Sequence, residues 1–175
     1  PTPCRFLNDI SHLAKSLRVQ GFPENNITRI TNEKATLQGI KDAFAKLSAS
    51  VKLNDVVVVH FSCHGTQVEA DQQNKIDGLD ECVVTYNAMT PDRIDINNGE
   101  KLKAEMAKYL RGHVLGELLK GVRAKLGSGG DLAVFLDFCC SGGATRGANK
   151  IRGGKPPLVS RNFDPAKHKV SDSST

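Results

Sequence analysis

Two apolar runs restrict the fold of this chain more than any other feature. "DVVVVHF" from Asp55 to Phe61 and "LAVFL" from Leu132 to Leu136 are short, continuous and rich in β-branched residues. Runs of that length without polar alternation are strands buried on both faces, as in a parallel sheet. The segments around them have helical periodicity instead. "NDISHLAKSLRVQGF" sets Ile10, Leu13, Ala14 and Leu17 at helical spacing and stops at Gly21. "TLQGIKDAFAKLSASV" does the same through Leu37, Ile40, Ala43, Phe44 and Leu47. "GHVLGELLKGVRAKLG" places Val114, Leu118, Leu119 and Val122 on one side and ends at Gly127. "NITRIT" reads as a short extended segment and "ECVVTYNA" as a further short strand. This alternation predicts an α/β domain, a mostly parallel sheet with helices on both faces. Ligands in such sheets bind beyond the carboxyl ends of the strands. "SCHG" and "DFCCSGG" lie at those ends.

With 175 residues, 39% of them hydrophobic and 25% charged, the chain suits one globular domain. Its net charge of +5 is concentrated late. Arg146, Lys150, Arg152, Lys155, Arg161, Lys167 and Lys169 stand against Asp164. Such a run suits nucleic acid, proteolytic cleavage or plain solubility, but it lacks the aromatic interleaving of a base-stacking platform, so nucleic acid is the weaker reading. Residues 148–175, with their Gly, Pro, Lys and Ser, read as a linker or tail after a domain at 1–147. No window has the length and apolarity of a membrane span, and no export signal opens the chain, so no membrane partner is expected. The five cysteines (Cys4, Cys63, Cys82, Cys139 and Cys140) lack paired metal-ligand spacing. They predict no bound metal, with reduced thiols in the cytoplasm.

A cysteine serves as a nucleophile when its thiolate is accessible and a base sits nearby. Cys139 ends the second strand and precedes Ser141, Gly142 and Gly143, small enough to admit a substrate backbone. His64 ends the first and precedes Gly65. If the two strands are neighbours, thiol and imidazole face each other across a peptide-sized gap, with the N–H groups of Gly65 and Cys139 available to an oxyanion. The bland reading is a small core cysteine and a satisfied polar histidine. Alternation along a strand sends Cys139 and Cys140 to opposite sides. One of the two is therefore packing.

"HFSCHGTQ", "IDGLDE" and "LDFCCSGGATRG", in this order, resemble the metacaspases and caspase-like cysteine peptidases, in particular the bacterial orthocaspases. The family's S-G-H-G motif reads here Ser62, Cys63, His64, Gly65. Its D-x-C-H-S-G motif reads Asp137, Phe138, Cys139, Cys140, Ser141, Gly142. The resemblance runs from "CRFLNDISHLAKSL" to about Gly147 and implies a caspase-like three-layer sandwich. It makes Cys139 the nucleophile and His64 its partner. Cys140 stands where a second histidine is usual, and Cys63 replaces a glycine. It also implies a first strand before "CRFLND" and a small subunit after the linker, so the chain reads as a large-subunit region that a small-subunit region would complete.

Asp137 lies two residues before Cys139, so both project to the same side of the strand. A carboxylate beside the nucleophile would pair with a cationic P1 side chain. The resemblance implies the same, with Asp137 as main selector of Arg or Lys and Ser62 assisting; the competing reading is an Asp that caps backbone N–H groups. "EADQQNKIDGLDE" gathers Asp71, Asp77, Asp80 and Glu81, but not at EF-hand spacing. The resemblance also implies calcium activation through acidic positions that here read Leu115, Gly116 and Arg146. Those neutral or positive groups predict weak or absent calcium dependence and no cofactor. Arg146, Lys150, Arg152, Lys155 and Arg161 are chemically suitable self-processing sites; a linker that is never cut is the alternative. The expected function is a cysteine endopeptidase acting on protein or peptide substrates after Arg or Lys through a Cys-His dyad. The alternative is a catalytically weak or inactive caspase-like scaffold in a protein–protein signalling assembly. A nucleic-acid module built on the basic run would instead bind with steep salt dependence.

Overall fold

The structure, a computed structural model, describes residues 5–71, 78–90, 93–138 and 157–164. Four helices and five strands follow one another: α1 (Arg5–Val19), α2 (Leu37–Ser50), β1 (Val56–Ser62), β2 (Gly65–Glu69), β3 (Leu79–Val83), α3 (Gly99–Met106), β4 (Leu110–Arg111), α4 (Gly112–Leu126) and β5 (Asp131–Asp137). They form two compact units. One takes the chain up to residue 63 together with 117–138; the other takes 64–116 and the described residues after 156. The architecture is α/β, with helices and a parallel strand pair.

In the first unit the two apolar runs become β1 and β5, and they pair in parallel from Val56 opposite Asp131 to Ser62 opposite Asp137. The helices end where glycine was expected to end them. Gly21 follows α1 at φ +95° and Gly127 follows α4 at φ +68°, a region that side chains with a Cβ avoid. At Gly127 there is also no room, because a Cβ would lie 2.4 Å from Leu53 Cδ1. Thr36 caps α2, its Oγ1 accepting the Gly39 N–H at 3.1 Å. Ala14, Ile40, Phe44, Val57, Val122 and Leu126 are buried, one or two from each of α1, α2, β1 and α4. The second half of β5 differs from the expectation of a strand buried on both faces. Phe135 is 53% exposed and Leu136 42%, because β1 is the strand's one partner among the described residues. "NITRIT" is extended at Ile27 and Thr31, where it leaves one short 3₁₀ turn at Glu24–Asn26 and enters the next at Asn32–Lys34, but it pairs with no strand among the described residues.

The second unit carries a separate three-stranded sheet in the order β2-β3-β4, antiparallel throughout. Among the described residues the parallel pairing of strands is therefore confined to β1 and β5. The connection from β2 to β3 is too short for the crossover that parallel neighbours need, so these strands must fold back as a hairpin. Val68, Cys82, Leu102, Tyr109 and Leu158 form the core of this unit. The Tyr109 hydroxyl donates to the Met89 carbonyl at 2.6 Å, so its polar end is satisfied. Asn98 caps α3 by accepting the Lys101 N–H at 3.0 Å.

Leu158 lies in a segment that reads as a tail in the sequence, yet it is 3% exposed. It adds to the free edge of β2, in parallel, opposite Val68. Its N–H donates to the Gln67 carbonyl at 2.8 Å and its carbonyl accepts the Glu69 N–H at 3.1 Å. The Glu69 carboxylate then accepts the Ser160 N–H at 3.0 Å. The Leu158→Ala variant is expected to lose about 2–4 kcal/mol of stability, from the cavity left in a closed cluster. Urea unfolding measures this; a loss below about 0.5 kcal/mol, the range of ordinary surface changes, would contradict the docking. Among the described residues no helix is long and apolar enough to cross a membrane.

Candidate active site

The parallel ladder meets the condition on which the sequence argument depended: β1 and β5 are neighbours. Ser62 and Asp137 are opposite one another in the last rung, so both side chains leave the same face of the sheet. The Cys63 N–H extends the ladder by one bond, donating to the Asp137 carbonyl at 3.3 Å. His64 is two residues past Ser62, and Cys139 is two residues past Asp137. Cys139 and Cys140 themselves lie outside the described residues, as do Arg146, Lys150, Arg152, Lys155 and Asp77.

The structure adds a residue that sequence reasoning passed over. Asp9 of α1 accepts the Ser62 hydroxyl at Oδ2, 3.1 Å away, and Ser62 is only 9% exposed. Asp9 and Asp137 line one groove between α1 and the β1–β5 pair, together with His12, Ser16, His60 and Phe135. Among the described residues no Lys or Arg pairs with either carboxylate. The sequence signal for Asp9 was weak. It sits one turn before Leu13 on the margin of the apolar face, and only the 53-residue separation closed by the Ser62 bond shows its orientation.

His64 begins the second unit as an exposed residue, its carbonyl accepting the Val84 N–H at 2.9 Å. That bond fixes the parity of the hairpin. Even-numbered residues of β2 bond to β3, and odd-numbered ones point to the other edge, where Gln67 and Glu69 bond Leu158. By the same alternation the Gly65 N–H points away from β3. An amide aimed out of the ladder is what an oxyanion donor requires.

The thiol beside the histidine is inert. Burial, with the Asp137 carboxylate adding to it, pushes Cys63 up to about 12. It therefore remains a neutral thiol at physiological pH. Cys82 is 2% exposed within the core of the second unit. Of the acidic residues in the "EADQQNKIDGLDE" stretch, Asp71 and Asp80 approach His113 with ligand atoms all within 4.8 Å.

The sequence profile of the Caspase domain matches residues 5–172, nearly the whole chain. The chain belongs to the caspase-domain family. Its relatives are metacaspases: it is 39% identical to Metacaspase-4 of Arabidopsis thaliana over 95 residues, covering 49% of this chain and 23% of the relative. It is 27% identical to Metacaspase-1 of Candida albicans over 143 residues, or 78% of this chain and 29% of the relative. The chain thus spans less than a third of either relative's length. A crystal structure of a Geobacter sulfurreducens protein shares the fold, with a TM-score of 0.51 at 22% identity over 74% of this chain and 39% of that one. The caspase-domain match makes the two strand ends the place to look for chemistry, because cysteine peptidases need a thiol and a base where strands open to a cleft.

Proposed function

We propose that this caspase-domain chain is a cysteine endopeptidase that cleaves after Arg or Lys. Cys139 attacks the scissile carbonyl carbon and His64 takes the thiol proton, then gives it to the leaving amine. The N–H groups of Gly65 and Cys139 hold the oxyanion. The thioester formed with Cys139 is hydrolysed by water that His64 deprotonates, which returns the free thiol and the carboxylate product.

The observation that carries the reading is the pairing of β1 with β5 in a register that sets Ser62 opposite Asp137. Two strands that end level with each other lead directly into the histidine and cysteine motifs. The acidic groove at that same end supports the basic preference, since a P1 guanidinium or ammonium would find Asp137 and Asp9 without a competing internal cation among the described residues. Ser62 assists by holding Asp9. Self-processing would follow from the same specificity, with Arg161, exposed in the docked segment, as one candidate site and Arg146, Lys150, Arg152 and Lys155 as the others.

The test is turnover of matched fluorogenic peptides ending in Arg, Lys and Asp, with and without calcium. Cleavage of the Arg and Lys peptides alone is expected, at rates that EGTA leaves unchanged. A preference for the Asp peptide would refute the selector role of the groove. Cleavage of none of them by the longest natural form of the protein would instead favour the scaffold reading.

A further inference from the structure

One guanidinium in the second unit gathers groups from four places in the chain. Arg111, in β4, donates from Nη1 to Asp80 Oδ2 at 2.8 Å and to the Glu69 carbonyl at 3.1 Å. Its Nε lies 3.4 Å from Asp71 Oδ2. His113 Nδ1, at the start of α4, is 3.6 Å from the same Asp80 oxygen. Asp80 is wholly buried and Arg111 is 14% exposed. Taken without Arg111, the remaining donors are two carboxylates, a backbone carbonyl and an imidazole. Carboxylate and carbonyl oxygens suit calcium or manganese, and an imidazole nitrogen is a common addition in transition-metal sites.

A carboxylate out of reach of water needs a positive charge beside it. A metal ion is one solution and an arginine is another. We propose that Arg111 is a tethered cation: it fills, from within the chain, the position among Asp71, Asp80, the Glu69 carbonyl and His113 that a divalent ion would otherwise take. The residues present therefore do not fit an added ion, because the place is already filled. Guanidinium stays protonated at any working pH and cannot be chelated away. The base of the β2–β3 hairpin is consequently held together without metal. The calcium independence expected from Leu115, Gly116 and Arg146 acquires a separate structural cause at Arg111.

The test reads melting temperature, so its outcome does not depend on peptidase activity. Wild type is expected to melt at the same temperature in EDTA and in millimolar calcium or manganese. The Arg111→Gln variant should melt lower in EDTA and recover by about 3–6 °C with either ion at tenfold excess over Kd, the half-effect falling at about 0.1–1 mM. Adding Asp71→Asn should abolish that recovery, and Arg111→Lys, which keeps a cation in place, should show none. A wild-type melt that already rises in calcium, and no longer does so in Asp71→Asn, would overturn the proposal. So would an Arg111→Gln protein indifferent to both ions, since Arg111 would then be an ordinary ion pair. If Arg111→Gln does not fold in EDTA, it is refolded from urea with and without calcium; recovery only with calcium supports the tethered cation, and recovery in neither overturns it.

Discussion

Cys139→Ala is expected to abolish peptide turnover, by at least about 10⁴-fold, whereas Cys140→Ala should leave it within the same order of magnitude. Without the thiol no thioester forms, and what remains is the help that oxyanion donors and substrate binding give to water. His64→Ala should cost about 10²–10⁴-fold, the usual yield of a positioned general base. The two described cysteines cannot substitute. Cys82 is sealed in a core, and Cys63 holds its proton up to about 12. Alkylation at pH 8 followed by mass spectrometry should therefore leave Cys63 unmodified in the native protein. The same shift has a consequence for stability. An unfolded thiol loses its proton near 9, so between there and about 12 the native state binds more protons than the unfolded state. Cys63 thus makes stability fall as pH rises through that window and contributes no pH dependence below it. Turnover that survived in Cys139→Ala would remove the nucleophile assignment.

The parts of the fold readable from sequence are those written in local chemistry. Gly21 and Gly127 mark helix ends because positive φ is needed there. The valine-rich β1 could not be mistaken, and its partner β5 followed from the same apolar density. The β2 strand was harder to see. "GTQVE" buries Thr66 and Val68 while leaving Gly65, Gln67 and Glu69 half-buried, a period-two pattern, but it is only five residues long and adjoins the histidine motif. Leu158 could not be read at all. A pair of apolar residues after two prolines looks like linker until Gln67 and Glu69, about ninety residues before Leu158, accept it as a strand neighbour. The candidate site divides in the same way. Ser62, His64, Gly65, Cys139 and Asp137 are motif residues at fixed spacing. Asp9 and Arg111 act through partners distant in sequence, so their roles are set by tertiary geometry that no local pattern encodes.

The Asp9 carboxylate leads to the second large effect. Asp137→Ala is expected to lower kcat/KM for Arg and Lys peptides by about 10²-fold, because a cationic side chain taken from water into the groove would lose its main counter-charge. Asp137 is exposed in the free protein, so the effect is set by how far a bound substrate dries the groove, and protein stability should hardly change. Asp9→Asn makes a sharper comparison. The amide oxygen can still accept the Ser62 hydroxyl, so the 3.1 Å bond is kept while the charge is lost. If Asp9 acts as a second counter-charge, Asp9→Asn should lower kcat/KM for basic peptides about tenfold, and the double variant should show coupling, since both carboxylates would face one cation. If Asp9 only orients Ser62, Asp9→Asn should behave as wild type and Asp9→Ala should not. The rate of modification of Cys139 by a small uncharged thiol reagent separates binding from chemistry, because neither substitution should alter it. A fall in that rate would mean that Asp137 acts on the nucleophile itself rather than on the substrate's charge.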